Sequence, residues 1–157
     1  MGFDLYGLNP KGDVPKPVIT DWEDEKQSED YLKYRTETPG SYFRANVWWW
    51  RPLWQYVGIT CEDILTEDDI ASGEVNDNHL ISEDKAVLIA KRLQERIDDG
   101  SAQAFEDEIV KYMDSVEKDK HGSPKNDDDW MAHYPFTVGN LQEFILFCSE
   151  SGGFTIG

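Results

Sequence analysis

The sequence lacks the features of a secreted or membrane-spanning protein. It has two cysteines, Cys61 and Cys148, which are too few for a disulfide framework, and each lies in an apolar stretch where a free thiol acts as a small hydrophobic side chain. The first residues show no basic segment followed by a long apolar run, as a signal peptide would. No stretch approaches the roughly 18 apolar residues that span a bilayer. These absences predict a cytoplasmic protein with no membrane partner.

Basic residues are also scarce. Lys and Arg number 15 against 32 Asp and Glu, which gives a formal net charge of -17. A chain without a basic face cannot hold nucleic-acid phosphates, so direct nucleic-acid binding is excluded. The charge keeps the protein soluble. It also suits a protein that binds a basic partner, in the extreme form as a mimic of nucleic acid, and the composition leaves both interpretations open.

Catalytic and metal-binding patterns are missing as well. The three histidines, His79, His121 and His133, show no ligand spacing, and no phosphate loop, dinucleotide fingerprint or serine-hydrolase motif is present. Asp77, His79 and Glu83 are more typical of a turn and a helix start than of a metal site. The sequence therefore favours a protein with no enzymatic activity, cofactor or metal. The alternative is a hydrolase that uses His79 or His133.

The two ends of the chain predict a small sheet. Residues 3–6 and 154–156 alternate apolar and polar side chains and are bounded by glycines, as short strands are. Pairing of these strands would bring the two ends of the chain together.

The remaining pattern is mainly helical. Apolar spacing, caps and glycine stops predict two well-defined helices between Ser82 and Gly100 and over 101–116, and a last helix that Thr137 caps. Less regular patterns predict a helical turn within 22–34 and short helices over about 51–57 and 61–70. The fold class is α+β: a mainly helical single domain over 1–157, with four or five helices around an aromatic-rich core and a small sheet formed by the terminal strands.

One stretch, residues 42–57, concentrates the aromatic side chains of a chain with six Trp. A helix is expected to begin at Arg51 or Pro52, because proline suits a first helical turn, and the Trp run before it to be extended or a separate turn. Trp faces stack on planar groups, and Arg offers two parallel hydrogen bonds to phosphate. These residue types are typical of an aromatic core with arginines stacked on it, and they also suit a site for a nucleotide-like ligand. The candidate ligand-binding residues are Arg44, Asn46, Trp48, Trp49, Trp50, Arg51 and His133.

The same stretch carries a family resemblance. The run YFRANVWWWRPLW at residues 42–54, the HYPF segment at 133–136 and the SGGF end at 151–154 together resemble a family of small uncharacterised proteins encoded by bacteriophages and some bacteria. The resemblance covers most of the chain and brings no activity, cofactor or catalytic residue with it. It implies a phage context, in which small acidic proteins often act against host machinery or host defences.

These observations give a leading hypothesis and two rivals. The leading one is a non-enzymatic, phage-encoded, anti-defence protein of the host cytoplasm that sequesters a small nucleotide-like ligand. The first rival is an inhibitor that binds a basic host protein through its acidic cluster at residues 21–30. The second is the hydrolase with His79 or His133 at its site. The sequence predicts no oligomeric state.

Overall fold

The two ends of the chain form the centre of an antiparallel sheet. In a computed structural model that describes residues 2–157, strand β1 (Gly2–Gly7) pairs with strand β4 (Phe154–Ile156), and Leu5 lies opposite Ile156. Asp4 and Gly157 exchange both backbone hydrogen bonds, each 2.8 Å long. The predicted terminal strands and their pairing are confirmed.

Two strands that the sequence did not predict lie outside this pair. Strand β2 (Tyr42–Asn46) pairs with β1, and strand β3 (His79–Ile81) pairs with β4, so the sheet order is β2-β1-β4-β3. Phe43 and Ala45 are buried and alternate with the more exposed Tyr42, Arg44 and Asn46, as expected of a strand with one face on the core. The adjoining Trp run obscured this alternation in the sequence, and β3 is too short to give a pattern.

Helices make up most of the rest of the described chain, and seven are present between residues 2 and 157. They are α1 (Glu25–Glu37), α2 (Val47–Thr60), α3 (Glu67–Ser72), α4 (Glu83–Asp98), α5 (Ser101–Ser115), α6 (Trp130–His133) and α7 (Val138–Glu150). Ser82 and Thr137 cap α4 and α7 through their side-chain oxygens, as predicted. The expected total of four or five helices is too low, chiefly because α3 and α6 are short. None of the seven has the length and apolarity needed to cross a membrane.

The predicted start of α2 is wrong. The helix begins at Val47, because the side chain of Asn46 accepts a hydrogen bond from the Trp49 N–H (3.1 Å) and so caps the first turn. The Trp run is therefore helical, and Pro52 lies inside the helix and not at its start. The predicted helix over 61–70 is also wrong: a turn follows Cys61, and a capping box between Thr66 and Asp69 opens α3.

The core is an aromatic cluster between the sheet and helices α2, α4 and α7. The ring of Trp50 stacks on Trp54 at 5.3 Å and on Phe3 at 5.5 Å, and meets Phe144 edge-on. Both free cysteines are buried. The predicted aromatic-rich core is present, and α4 and α7 pack against each other across it.

The Trp50–Trp54 pair is tied to the end of α3. The Trp50 indole N–H donates to the Gly73 carbonyl (2.8 Å), and the Trp54 indole N–H donates to the Ile70 carbonyl (2.9 Å). Gly73 lies so close that a Cβ atom on it would stand 2.1 Å from the Trp54 ring. Its backbone φ of -68° suits any residue, so the requirement for glycine there is one of space.

We expect Gly73→Ala to lower the free energy of unfolding by about 1–3 kcal/mol, the usual cost of forcing a methyl group into a packed core. Urea denaturation measures it. Gly139→Ala is the matched control, because a Cβ at Gly139 in α7 meets no atom within 4 Å, and this variant should be neutral or slightly stabilising. Equal midpoints for wild type and Gly73→Ala would contradict the packing described for the two indoles.

Candidate functional site

The candidate ligand residues of the aromatic stretch separate into the core and different parts of the surface. Trp50 is 0% exposed and belongs to the core, so the prediction that it lines a ligand site does not fit its position. Trp48 and Trp49 are 50% and 37% exposed. Successive residues of a helix point about 100° apart, so the three neighbouring indoles necessarily face different surroundings.

Three of the candidates come together in one cleft. Arg44, Asn46 and Trp49 line a cleft of about 400 Å³ between the end of β2, the first turn of α2 and the first turns of α7. The full lining is Arg44, Ala45, Asn46, Trp49, Thr137, Asn140 and Glu143. We call this the Arg44–Trp49 cleft.

One wall of the cleft is a polar stripe on α7. Thr137, Asn140 and Glu143 are three residues apart and so lie on one side of the helix, about 4.5 Å from each other along its axis. The Thr137 hydroxyl is occupied as the helix cap, where it accepts the Asn140 N–H (3.1 Å). Asn140 and Glu143 were not among the predicted ligand-binding residues. The polar spacing was visible, but nothing in the sequence shows that this side of α7 faces β2.

The opposite wall is the free edge of β2. Since the backbone of Asp4 bonds to Gly157, the residue after β4, alternation along β1 turns the backbones of Phe3 and Leu5 toward β2. Their partners on β2, Ala45 and Phe43, therefore form backbone hydrogen bonds with β1. Arg44, which lies between them, directs its backbone N–H and C=O away from the sheet. Three successive residues of β2 line the cleft, which therefore runs along this edge.

Arg44 is only loosely held in the cleft. Its Nε lies 3.6 Å from the Asp4 carboxylate, and its side chain is 66% exposed, so the terminal guanidinium nitrogens remain available to a ligand. Asp4 also accepts a hydrogen bond from the Tyr42 hydroxyl. Burial, followed by this hydrogen bond, raises the pKa of Tyr42. Asp4 thus positions the arginine without engaging its hydrogen-bonding fork.

The other candidates lie outside the cleft. The Trp48 ring packs on Tyr134 at 4.9 Å, beside α6. His133, at the end of α6, has its Nε2 3.0 Å from the Asn126 carbonyl oxygen. Arg51 is exposed on a part of α2 that does not line the cleft. Of the two arginines that flank the Trp run, therefore, one is at the cleft and the other is not.

His79 has a different environment, with two partners around a buried carboxylate. Its Nε2 lies 2.8 Å from Asp69, which is 5% exposed and also forms an ion pair with Lys85. Burial alone raises the pKa of Asp69, but hydrogen bonds from Lys85, the Thr66 backbone and His79 lower it, and the net pKa is far below the ordinary value. The cluster joins α3, β3 and α4, and it is not part of the Arg44–Trp49 cleft.

No group of three or more His, Cys, Asp or Glu side chains within residues 2–157 is arranged to hold a metal ion. Comparisons of the chain with family models, with curated proteins and with solved structures gave no match. The chemistry of the cleft lining is therefore the evidence on which a function can be argued.

The Asp69 cluster predicts how stability depends on pH. The pKa of Asp69 in the folded protein is below its unfolded value near 4. The stabilisation of the folded state by the ionised Asp69 carboxylate is therefore complete at neutral pH, and it is lost as the pH falls through and below about 4. We expect Asp69→Asn to cost about 1–3 kcal/mol at pH 7, and the difference from wild type to shrink toward pH 3.

Urea titrations at pH 7, 5, 4 and 3 measure this effect. Asp127→Asn is the control, since it removes the same charge from an exposed position in the loop before α6. A difference between Asp69→Asn and wild type that stays constant with pH would show that the Asp69 carboxylate is not held in its ionised form.

Proposed function

We propose that the protein binds a small nucleotide-like ligand in the Arg44–Trp49 cleft and sequesters it without chemical conversion. One observation carries the proposal: an available guanidinium and a partly exposed indole meet in a cleft that also contains two amide side chains. The other arginine of the aromatic stretch, Arg51, does not line this cleft.

The parts of a nucleotide correspond to the parts of the cleft. The Trp49 ring offers a stacking surface for a base, which contributes about 1–3 kcal/mol where it has been measured. The Arg44 guanidinium offers paired donors to a phosphate group. The Asn46 side-chain oxygen caps α2, so its NH₂ group adds a donor, and the Asn140 amide adds a donor and an acceptor. A volume of about 400 Å³ lies within the range of sites for small molecules.

The lining favours retention of the ligand over its conversion. Neither His79 nor His133 lines the cleft, and the Thr137 hydroxyl is engaged as the cap of α7. Glu143 is the one titratable acceptor among the described lining residues, and a carboxylate on its own offers no second group with which to share a proton. In a phage-encoded protein, such retention would remove a host signalling nucleotide and so counteract a host defence system.

Two matched arginine variants test the proposal. With wild type, we expect a nucleoside monophosphate or cyclic nucleotide at millimolar concentration to raise the melting temperature by several degrees, because a ligand that binds only the folded state stabilises it. Arg44→Gln should lose this shift, and Arg51→Gln should keep it, since Arg51 lies outside the cleft.

The measurement is a thermal-shift titration against a panel of nucleotides. Trp49→Ala and Trp48→Ala form a second matched pair with the same expected contrast. If no nucleotide in the panel shifts wild type, or if Arg44→Gln and Arg51→Gln respond alike, the cleft is not a nucleotide site.

A second candidate function is supported by a separate surface beside α1. Trp22 is 63% exposed and meets Tyr31 edge-on at 5.2 Å. A second cleft of about 430 Å³ adjoins them and is lined by Tyr6, Trp22, Ser28, Tyr31, Leu32, Arg35 and Tyr42. The acidic residues of the predicted cluster are exposed and lie near Trp22 in the sequence or on α1, at positions 21, 23, 24, 25, 29 and 30.

An aromatic patch on an element that also carries exposed acidic residues suits a basic protein segment that inserts an apolar side chain. Exposed aromatic side chains supply much of the energy at protein interfaces, and complementary charge speeds association and selects the partner. Such binding would let the protein block a basic host protein.

We expect a lysine–leucine peptide to bind more tightly than a lysine–serine peptide of equal charge, with an affinity that falls as salt rises. Fluorescence anisotropy of the labelled peptides measures both. Trp22→Ala and the pair Glu23→Gln with Glu29→Gln should weaken binding, whereas Asp127→Asn with Asp128→Asn, which removes the same charge elsewhere, should not. If the two charge-removing pairs weaken binding equally, the peptide is attracted by the net charge of the protein and not by the surface beside α1.

A further inference from the structure

We infer that the Arg44–Trp49 cleft selects a guanine nucleotide that carries a single phosphate group. This inference rests on the proposed nucleotide binding and adds the identity of the base and the charge of the ligand. It is carried by Glu143 and Asn140, which base stacking and phosphate pairing do not involve, and by the absence of a second cationic side chain among the described residues of the cleft.

Glu143 sets the requirement on the base. An ionised carboxylate has two acceptor oxygens and no donor. The Glu143 side chain is exposed and forms no hydrogen bond or ion pair with another residue in the described part of the chain, so both oxygens are free to accept from a ligand. A phosphate would be repelled there, and the ligand group that faces Glu143 must therefore be a donor.

Among the common bases, guanine has the matching edge. Its N1–H and N2–H₂ groups are adjacent donors, which two carboxylate oxygens can accept together. Adenine and cytosine each place a lone pair beside their amino group, and that lone pair would face a carboxylate oxygen unfavourably. Uracil has one N–H between two carbonyl oxygens. A carboxylate in the cleft thus discriminates between bases by repulsion as well as by attraction.

Asn140 extends the match to a third group. It lies one turn before Glu143 on the same side of α7, about 4.5 Å away along the axis, a separation comparable to the width of a purine edge. Its backbone N–H is used by Thr137, but its side-chain amide remains available to donate to the guanine O6. The order along α7, one donor followed by two acceptors, complements the order O6, N1–H and N2–H₂ on the base.

The charge of the protein limits the number of phosphates. Arg44 is the sole cationic side chain among the described residues that line the cleft, and its single guanidinium can pair with one phosphate group. The chain as a whole carries a net charge of -17, which repels every further negative charge on a ligand. Guanosine monophosphate or a cyclic guanine nucleotide therefore fits better than a triphosphate.

Isothermal titration calorimetry with GMP, IMP, AMP, CMP and GTP tests the inference. For wild type, we expect GMP to bind tightest and IMP, which lacks only the N2 amino group, to bind about tenfold more weakly, as for the loss of one hydrogen bond to a charged group. AMP and CMP should bind more weakly still. GTP should bind more weakly than GMP, and the gap should narrow as salt rises, because salt screens the repulsion.

Glu143→Gln is the informative variant. Glutamine keeps the size but replaces one acceptor with a donor, so the preference for GMP over AMP should disappear. Glu108→Gln on α5 is the control, because it removes the same charge from an exposed residue away from the cleft and should leave the preference intact.

Failure of the inference is distinguishable from failure of the proposed function. Nucleotide binding that is lost in Arg44→Gln but shows no base preference, or whose preference for GMP survives in Glu143→Gln, overturns the guanine assignment and leaves a general nucleotide site. Absence of binding by all five nucleotides overturns both. The comparison of GMP with IMP needs no variant and so is independent of any effect of Glu143→Gln on folding.

Discussion

The stacked indoles of Trp50 and Trp54 are the constraint on which the rest of the structure depends. Their two N–H groups are bonded to the carbonyls at the end of α3, and the space they fill leaves no room for a Cβ at Gly73. A helix whose rotation is fixed at one residue is fixed at the next, about 100° further round. The core position of Trp50 therefore dictates that Trp49 turns out of the core, and it lines the Arg44–Trp49 cleft.

The sheet supplies the second half of the cleft. The backbone hydrogen bonds between Asp4 and Gly157 determine which backbone groups of β1 face β2. As a result, the backbone N–H and C=O of Arg44 lie on the free edge of the sheet. Phe43, on the buried side of β2, packs on Phe144 of α7, which holds this helix beside the strand. The polar residues of β2 and of α7 consequently face one another across an open gap, while their apolar neighbours close the core beneath.

The fold was more predictable than the site for a physical reason. Caps at Ser82 and Thr137 and the alternation at the two ends are local signals, and each was confirmed. Which indole is buried depends on the rotation of α2, which tertiary hydrogen bonds set. The sequence could point to Arg44, Asn46 and Trp49 because they are neighbours along the chain. Glu143 lies almost a hundred residues away, and no local pattern predicts that it lines the same cleft.

An acidic protein is an unusual place for an anionic ligand, and the proposed nucleotide site would resolve this conflict through selectivity. A net charge of -17 weakens the binding of any nucleotide, and it weakens that of a polyphosphate most. Repulsion from the whole surface, offset at one point by Arg44, would penalise a polyphosphate more than a ligand with one phosphate group. The net charge would then improve the discrimination of the cleft, because specificity is a difference between affinities and not their size.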